Sequence, residues 1–401
     1  MTKIAILGFG TVGSGVYEVL KMNKESIAKK LGKEIEVKYI LDIRDFSDHP
    51  EAYLFTQDFN TILEDKEVEI VAEVIGGIHP AYNFTKAALL AGKHVVTSNK
   101  ELVATMGTKL LKIAKDNNVN YMFEASVGGG IPIIAPLRGC LTGNEITRIS
   151  GILNGTTNYI LTKMFKDGES FEDALKAAQD LGYAERDPSS DILGRDAARK
   201  ISILMSLVTG IQTDVDKIKT EGITSIDSCD VEVAGKMGCV IKLIARGYEK
   251  DGKVFASVSP SMLQKDHPLS NIQDVYNGIM VYGNAVDNVM FYGRGAGTLP
   301  TASAVVGDMI EIAKDPINQG IFWHEASEDA FIPFSEINDQ YFVRIEKADK
   351  EKAALVFGEL DFIDCQKSND SYFISPEMSN GEFNSKIVSI PIIKKIRIEQ
   401  E

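Results

Sequence analysis

The chain has 401 residues, enough for two or three domains with a sizeable core. Its apolar share of 44% and charged share of 25% are those of a globular protein. A net charge of −14 argues against nucleic acid or an anionic membrane as the main partner, and no apolar run reaches the ~20 residues of a membrane span. The start, MTKIAILGFGTVGSG, does not read as a signal peptide, because its apolar part is short and runs into a glycine turn. Cys140, Cys229, Cys239 and Cys365 lie far apart, as do the histidines, so free thiols in a reducing cytoplasm are expected and a zinc site is not.

In chain order, Ile4, Ala5, Ile6 and Leu7 form a short apolar run that suits a buried parallel strand. Gly8, Gly10 and Gly13 then spell GxGxxG, and Val16, Val19 and Leu20 follow at helical spacing. Each glycine has a physical task. Gly8 permits a tight turn, Gly10 lets backbone approach a pyrophosphate, and Gly13 lets the helix pack close to the strand. The unpaired N–H groups of the helix start offer a positive dipole end to phosphates. The loop residues Phe9, Thr11 and Val12 belong to the same cradle. The next predicted strand, EVKYILDIRD, ends where such a fold meets the adenosine ribose. An acid there favours NAD and an arginine favours NADP. Asp42, Arg44 and Asp45 all compete, with a lean to NADP through Arg44; a surface charge at a strand end is the plain alternative for Arg44.

The alternation continues. VEIVAEVIGG reads as a strand, PAYNFTKAALLAG as a helix, KHVVTSNKELV as a strand, GTKLLKIAKDNN as a helix and VNYMFEASVGGGIPII as a strand. Strands separated by short helices imply a parallel sheet with right-handed crossovers. Ligands bind beyond the carboxyl ends of such strands, and Gly76, Thr97, Ser98, Lys100 and Glu124 all sit there. The expected fold class is therefore α/β, a Rossmann-type doubly wound sheet over residues 1–133. After residue 134 helical patterns at 171–181 and 194–209 mix with antiparallel strand patterns joined by turns such as KDGK. This predicts an α+β substrate and dimerisation domain over 134–297. Gly293, Gly295 and Gly297 precede a small-residue helix, and residues 298–318 are expected to return to the first domain. Residues 319–401 read as a small α+β module.

One stretch, YAERDPSSDILGRDAARKISIL, carries alternating acids and bases before turning apolar. By spacing alone, Asp196 and Lys200 are an i, i+4 pair on a helix, and a surface ion pair contributing about 0.3–0.5 kcal/mol is one reading. The other is a pocket lined by Glu185, Asp191, Asp196 and Lys200 for a ligand with an ammonium, a carboxylate and a reacting oxygen.

AAQDLGYAERDPSSDILGRDAARK, EVIGG, VVTSNKEL, FEASVGGGIPI, GILNGTTNYIL and GRGAGTLPTASAVVGD resemble, in order, sequence blocks of homoserine dehydrogenase. The resemblance covers residues 1 to about 316. It implies NAD- or NADP-dependent interconversion of L-homoserine and L-aspartate 4-semialdehyde in threonine and methionine biosynthesis. It implies that Glu185 and Asp196 bind the amino acid, that Lys200 is the proton donor, and that Lys100 stands beside the reacting carbon. Asp191, Tyr183, Gly155 and Thr156 are further substrate contacts, and Gly182 and Gly297 join the cofactor contacts. It also implies a monovalent cation, Na+, on the Glu124 carboxylate and the carbonyls of Val127, Gly129 and Ile131. Backbone N–H groups held by Glu124 are the competing explanation. Residues 341–398 resemble a diverged or shortened ACT module, which implies an amino-acid effector site, but Glu351 and Lys352 or their neighbours replace the usual Pro-Gly after ADK. A homodimer or homotetramer is implied by the same resemblance and by the frequency of symmetric oligomers.

Two rival readings carry distinct chemistry. Aspartate-semialdehyde dehydrogenase needs an activated cysteine, and Cys140 in RGCLTG has no neighbouring histidine in sequence. A dinucleotide-binding sensor would need no proton-transfer groups at Lys100, Asp196 and Lys200.

Overall fold

The computed structural model of the chain describes residues 1–317, 320, 321 and 323–399. The expected boundary between 318 and 319, and the last two residues of the expected C-terminal module, lie outside the described residues. Among the described residues no helix is long and apolar enough to cross a membrane.

The chain begins as the alternation predicts. Strand β1 (Thr2–Leu7) leads to α1 (Thr11–Met22) and α2 (Lys24–Leu31), then β2 (Ile35–Leu41), β3 (Phe55–Thr56), α3 (Phe59–Glu64), β4 (Val68–Glu73), α4 (Ala81–Leu90), β5 (His94–Thr97), α5 (Lys100–Asp116), β6 (Tyr121–Met122) and α6 (Ile134–Arg138). The strands form a six-stranded sheet in the order β3-β2-β1-β4-β5-β6, parallel throughout. Ile4 through Leu7 are fully buried, as an apolar run covered on both faces must be. Strand order reverses between β1 and β4, and the crevice at such a reversal, beyond the carboxyl ends, is where these sheets bind ligands.

The chain continues through β7 (Ile146–Ile152), α7 (Gly155–Lys166), α8 (Phe171–Asp180), α9 (Ser189–Ile192), α10 (Arg195–Thr209), β8 (Lys219–Thr220), α11 (Ser228–Lys236), β9 (Cys239–Lys250), β10 (Lys253–Gln264), β11 (Tyr276–Gly283) and β12 (Asp287–Arg294). Helix α12 (Thr298–Lys314) follows. Its Ala302, Val305, Val306, Met309 and Ile312 share one apolar cluster with Val16, Val19 and Leu20 of α1. Each such larger side chain contributes about 1.5–3 kcal/mol on burial. The helices come close because Gly15 has no Cβ: an added one would lie 2.9 Å from Thr298.

The tail supplies β13 (Asn338–Asp339), β14 (Tyr341–Glu346), α13 (Lys350–Phe357), β15 (Ile363–Asp364), β16 (Asp370–Ile374), β17 (Met378–Ser379), α14 (Asn380–Lys386) and β18 (Ile392–Ile398). Strands β13 and β17 pair with each other as a separate antiparallel ribbon, while β14, β15, β16 and β18 extend the second sheet. That sheet runs β12-β11-β7-β9-β10-β18-β14-β16-β15, with β8 beside β10. The joint is a short parallel register, Ser261 with Arg397 and Met262 with Ile398. Arg397 and Glu399 are buried there, and Ser150 donates to Glu399 at 3.1 Å. By compactness the chain forms two units, one of residues 1–145, 202–215 and 291–326, the other of 146–201, 216–290 and 327–401.

Candidate active site

In the first unit the glycine loop has the geometry its sequence calls for. Gly8 sits at φ +96°, a conformation that strains any side chain. A Cβ on Gly13 would lie 1.9 Å from the Gly8 carbonyl oxygen, so helix and strand meet closely only because Gly13 has none. At Gly10 nothing lies within 4 Å of where a Cβ would be. Gly10 is also the N-cap of α1 and offers no side-chain cap. An open backbone at an uncapped helix start suits a pyrophosphate, which could accept from the N–H groups of Thr11, Val12 and Gly13. Phe9 anchors the loop: its ring packs edge-on against Phe46 at 5.4 Å, Phe55 at 5.0 Å and His49 at 5.8 Å.

At the end of β2, Asp42 is fully engaged. It accepts from the Phe9 N–H at 2.8 Å, from Arg44 Nε at 2.9 Å and from Arg44 Nη2 at 2.8 Å. The Arg44 guanidinium holds its carboxyl far below the usual carboxylate range. Arg44 also donates to the Phe9 carbonyl at 2.8 Å, and its side chain remains 55% exposed. The carboxylate that would receive ribose hydroxyls is thus occupied, while a fixed cation faces solvent. Asp45 turns aside to accept from Ser47 N–H at 2.9 Å.

The ends of β4 and β5 form a second cluster. Glu73 is fully buried and accepts from Thr97 Oγ1 and Ile75 N–H, each at 2.8 Å; burial raises its pKa. Asn99 caps α5, accepting from Leu102 N–H at 3.0 Å, and donates to the Gly77 carbonyl at 2.6 Å. Gly76 has φ +86° and open space where a Cβ would point. Ser98 precedes the cap, its carbonyl accepting from Lys100 N–H at 3.0 Å, and Lys100, half-buried, opens α5. Gly297, at φ +125°, is the N-cap of α12.

Glu124 lies in the turn that follows β6, 6% exposed. Its carboxylate accepts three backbone N–H groups, from Ile133 at 2.7 Å, Ile134 at 2.9 Å and Ala135 at 2.6 Å. It caps the short helix α6, and burial raises its pKa. Gly128 and Gly129 take left-handed φ of +75° and +55°, and Ile131 N–H closes the turn onto the Gly128 carbonyl at 2.9 Å. Val127 is buried below. The backbone N–H of Glu124 donates to Asp308 Oδ2 at 2.9 Å. Asp308 is buried in α12 and its pKa lies well above the carboxylate range, raised by burial and then by Glu124. Among the described residues no three His, Cys, Asp or Glu side chains are grouped to hold a metal ion.

In the second unit the charged stretch is not a solvated face at its centre. Asp196 and Lys200 are 3% and 7% exposed. Lys200 Nζ donates to Asp196 Oδ2 and to the Leu153 carbonyl, both at 2.8 Å. Asn154 ties the group together. Its Oδ1 accepts from Thr157 N–H at 2.9 Å and caps α7; its Nδ2 donates to Asp191 Oδ1 at 2.7 Å and Asp196 Oδ2 at 2.9 Å. Beside it, Gly155 is held 2.6 Å, measured to an ideal Cβ, from the Val275 carbonyl. Thr156 Oγ1 donates to the Tyr183 carbonyl at 2.6 Å, and the Tyr183 ring packs on Tyr159 at 5.3 Å. Gly182 stops α8 with φ +74°. Glu185 is exposed, its carbonyl accepting from Gln179 at 3.1 Å. The fold thus gathers Asp191, Asp196, Lys200, Gly155 and Thr156 around Asn154 and leaves Tyr183 and Glu185 at the exposed edge.

Three residues of these clusters escaped the reading of the sequence. Asn154 stands immediately before a polar helix start, an N-cap signal. Asp308 interrupts an apolar helix pattern, which marks a buried carboxyl. Glu73 had no signal beyond its place at a strand end.

Comparison with known proteins follows the same division. The family model described as homoserine dehydrogenase, NAD binding domain, matches residues 8–124, and the one described as homoserine dehydrogenase matches residues 132–310. The homoserine dehydrogenase of Bacillus subtilis is 39% identical over 369 residues, covering 89% of this chain and 85% of that protein. The crystal structure of a homoserine dehydrogenase from Thiobacillus denitrificans superposes with a TM-score of 0.91 at 32% identity, covering 99% of this chain and 98% of the other. A hyperthermophilic archaeal homoserine dehydrogenase mutant solved in complex with NADPH superposes with a TM-score of 0.66 at 31% identity, covering 77% of this chain and 97% of the other. With a nucleotide-ready glycine loop in one unit and a buried lysine–carboxylate group in the other, the chain belongs to the homoserine dehydrogenase family of NAD(P)-dependent oxidoreductases.

Proposed function

We propose that Lys200 is the acid and base of the reaction and that Asp196 and Asn154 hold it in place. The observation that carries this is the burial of the Lys200–Asp196 pair, because a surface ion pair needs no such enclosure. When bound, the nicotinamide supplies or accepts the hydride. Lys200 Nζ gives a proton to the substrate oxygen as the aldehyde is reduced, and takes one from the hydroxyl as homoserine is oxidised. Asp196, with Asp191 and Glu185, receives the α-ammonium of the amino acid; Gly155, Thr156 and Tyr183 border it. Lys100, at the carboxyl end of β5, serves the nicotinamide end of the cofactor. Gly8, Phe9, Gly10, Thr11, Val12, Gly13, Gly76, Thr97, Ser98, Gly182 and Gly297 are proposed cofactor contacts.

The Asp42–Arg44 lock supports NADP as the preferred nucleotide, since Arg44 stands ready for a 2′-phosphate. The turn of Glu124, Val127, Gly129 and Ile131 is proposed to hold Na+, supported by its hard oxygen donors; sodium dependence of thermal stability tests this. The tail has a cavity of about 430 Å³ bordered by Phe342, Tyr372, Glu359 and Asp361, which supports an amino-acid effector there; threonine inhibition of turnover tests that. A homodimer or homotetramer is proposed on base rate, and sedimentation measures it.

The decisive experiment replaces Lys200 by Ala. Homoserine-dependent nucleotide reduction should vanish while nucleotide binding, followed by fluorescence, stays intact. Turnover at the wild-type rate would overturn the assignment.

A further inference from the structure

The second unit brings together two cysteines that lie 136 positions apart in sequence. Cys229 is in the first turn of α11, and Cys365 directly follows β15. Both are free thiols, 6% and 2% exposed, and their sulfurs are 2.7 Å apart. Nothing stands between them, and a bond at about 2.05 Å requires a shift of well under one ångström. The turn around Cys365 places polar groups beside both sulfurs. The Lys367 N–H donates to Cys365 Sγ at 3.4 Å, and Cys229 Sγ lies 3.5 Å from Ser368 Oγ. Nearby, Arg344 pairs with Asp227 at 2.6 Å, just before Cys229. Gln366 and Lys367, the two residues after Cys365, are exposed, so the turn that covers the pair borders solvent. Burial pushes the Cys229 thiol up, which slows its oxidation while the turn is closed.

We propose that Cys229 and Cys365 form a dithiol modification site that takes a peroxide as oxidant and closes to a disulfide. One thiolate attacks the peroxide: an S–O bond forms, the O–O bond breaks, and the departing hydroxide takes a proton to become water. The second sulfur then attacks the first. The S–S bond forms, the S–O bond breaks, and the second water leaves. The two sulfurs are each oxidised by one electron, and the two peroxide oxygens are reduced. The product staples α11 to the β15–β16 edge of the tail. It restricts the unfolded chain over a long loop and so raises thermal stability without touching the groups assigned to turnover.

The test uses the full-length protein. It is treated with hydrogen peroxide, quenched with N-ethylmaleimide, digested without reductant and analysed by mass spectrometry. The expected product is a Cys229–Cys365 linked peptide lacking two hydrogens, reversed by dithiothreitol. The expected melting temperature rises by about 5 °C or more, with homoserine turnover retained. Cys229→Ser and Cys365→Ser should each abolish the linked peptide and the rise. Exposed Cys140 reports in the same sample that the oxidant acted. Recovery of both cysteines as separate maleimide adducts or as sulfinic acids, while Cys140 is oxidised, would overturn the proposal. So would a linkage that forms only in urea.

Discussion

Asn154→Ala removes a single amide and should disturb both stability and turnover. The first loss is the cap of α7, about 1 kcal/mol. The second is a pair of charge-assisted hydrogen bonds, about 1.5–3 kcal/mol each when the group left behind stays dry. Asp191 is half-buried, so water replaces most of its bond. Asp196 is 3% exposed, so its bond is not replaced. The total is about 3 kcal/mol. At about 2–4 °C per kcal/mol for a unit of this size, the melting temperature should fall by about 6–12 °C. Asp196 then turns away from its place, and Lys200 moves with it. A displacement near 1 Å costs about a hundredfold in rate. The assay is differential scanning fluorimetry beside steady-state homoserine oxidation. Asn154→Ser separates the two roles. Its hydroxyl restores the cap and about 1 kcal/mol of stability, but cannot reach both carboxylates, so turnover stays low. Wild-type turnover in the Ser variant would refute the bridge, and an unchanged melting temperature in the Ala variant would refute the energetics.

Gly13→Ala places a Cβ 1.9 Å from the Gly8 carbonyl oxygen, so the loop must open. Titration should show either nucleotide bound about tenfold or more weakly. Arg44→Ser removes the cation and frees Asp42, so the ratio of kcat/KM for NADP over NAD should fall by about tenfold or more; an unmoved ratio would contradict the role of Arg44. Asp308→Asn keeps an oxygen to accept the Glu124 N–H but cannot ionise. The folded Asp308 pKa is raised, so the folded state holds its proton above the unfolded value near ~3.9. Wild-type stability from this group is therefore present in acid and lost as pH rises. Melting temperatures measured from acid to alkaline pH should show the Asn variant losing less, with the gap widening upwards.

The first sheet was legible because its signals are local. A short apolar run, three glycines at fixed offsets and a helical repeat each constrain the backbone within a few residues. The antiparallel hairpin of β9 and β10 was legible for the same reason. Burial of Asp196 and Lys200 was not, because their spacing puts them on one helix face whichever way that face points. Asn154 reads locally as a cap, and its reach to Asp191 and Asp196, 37 and 42 positions on, leaves no mark nearby. Glu124 was open between a cation and backbone N–H groups because both want the same carboxylate; the three N–H bonds to α6 emerge only with the fold. The tail reads as its own module since its strand pairs are close in sequence. Its joint to the second sheet rests on two residue pairs between β10 and β18, a long-range contact without a local pattern.

The most direct measurement is the initial rate of nucleotide reduction by the purified chain with L-homoserine, using NAD and NADP in turn. Homoserine-dependent reduction is expected, faster with NADP. Binding of both nucleotides with no reduction of either would contradict it.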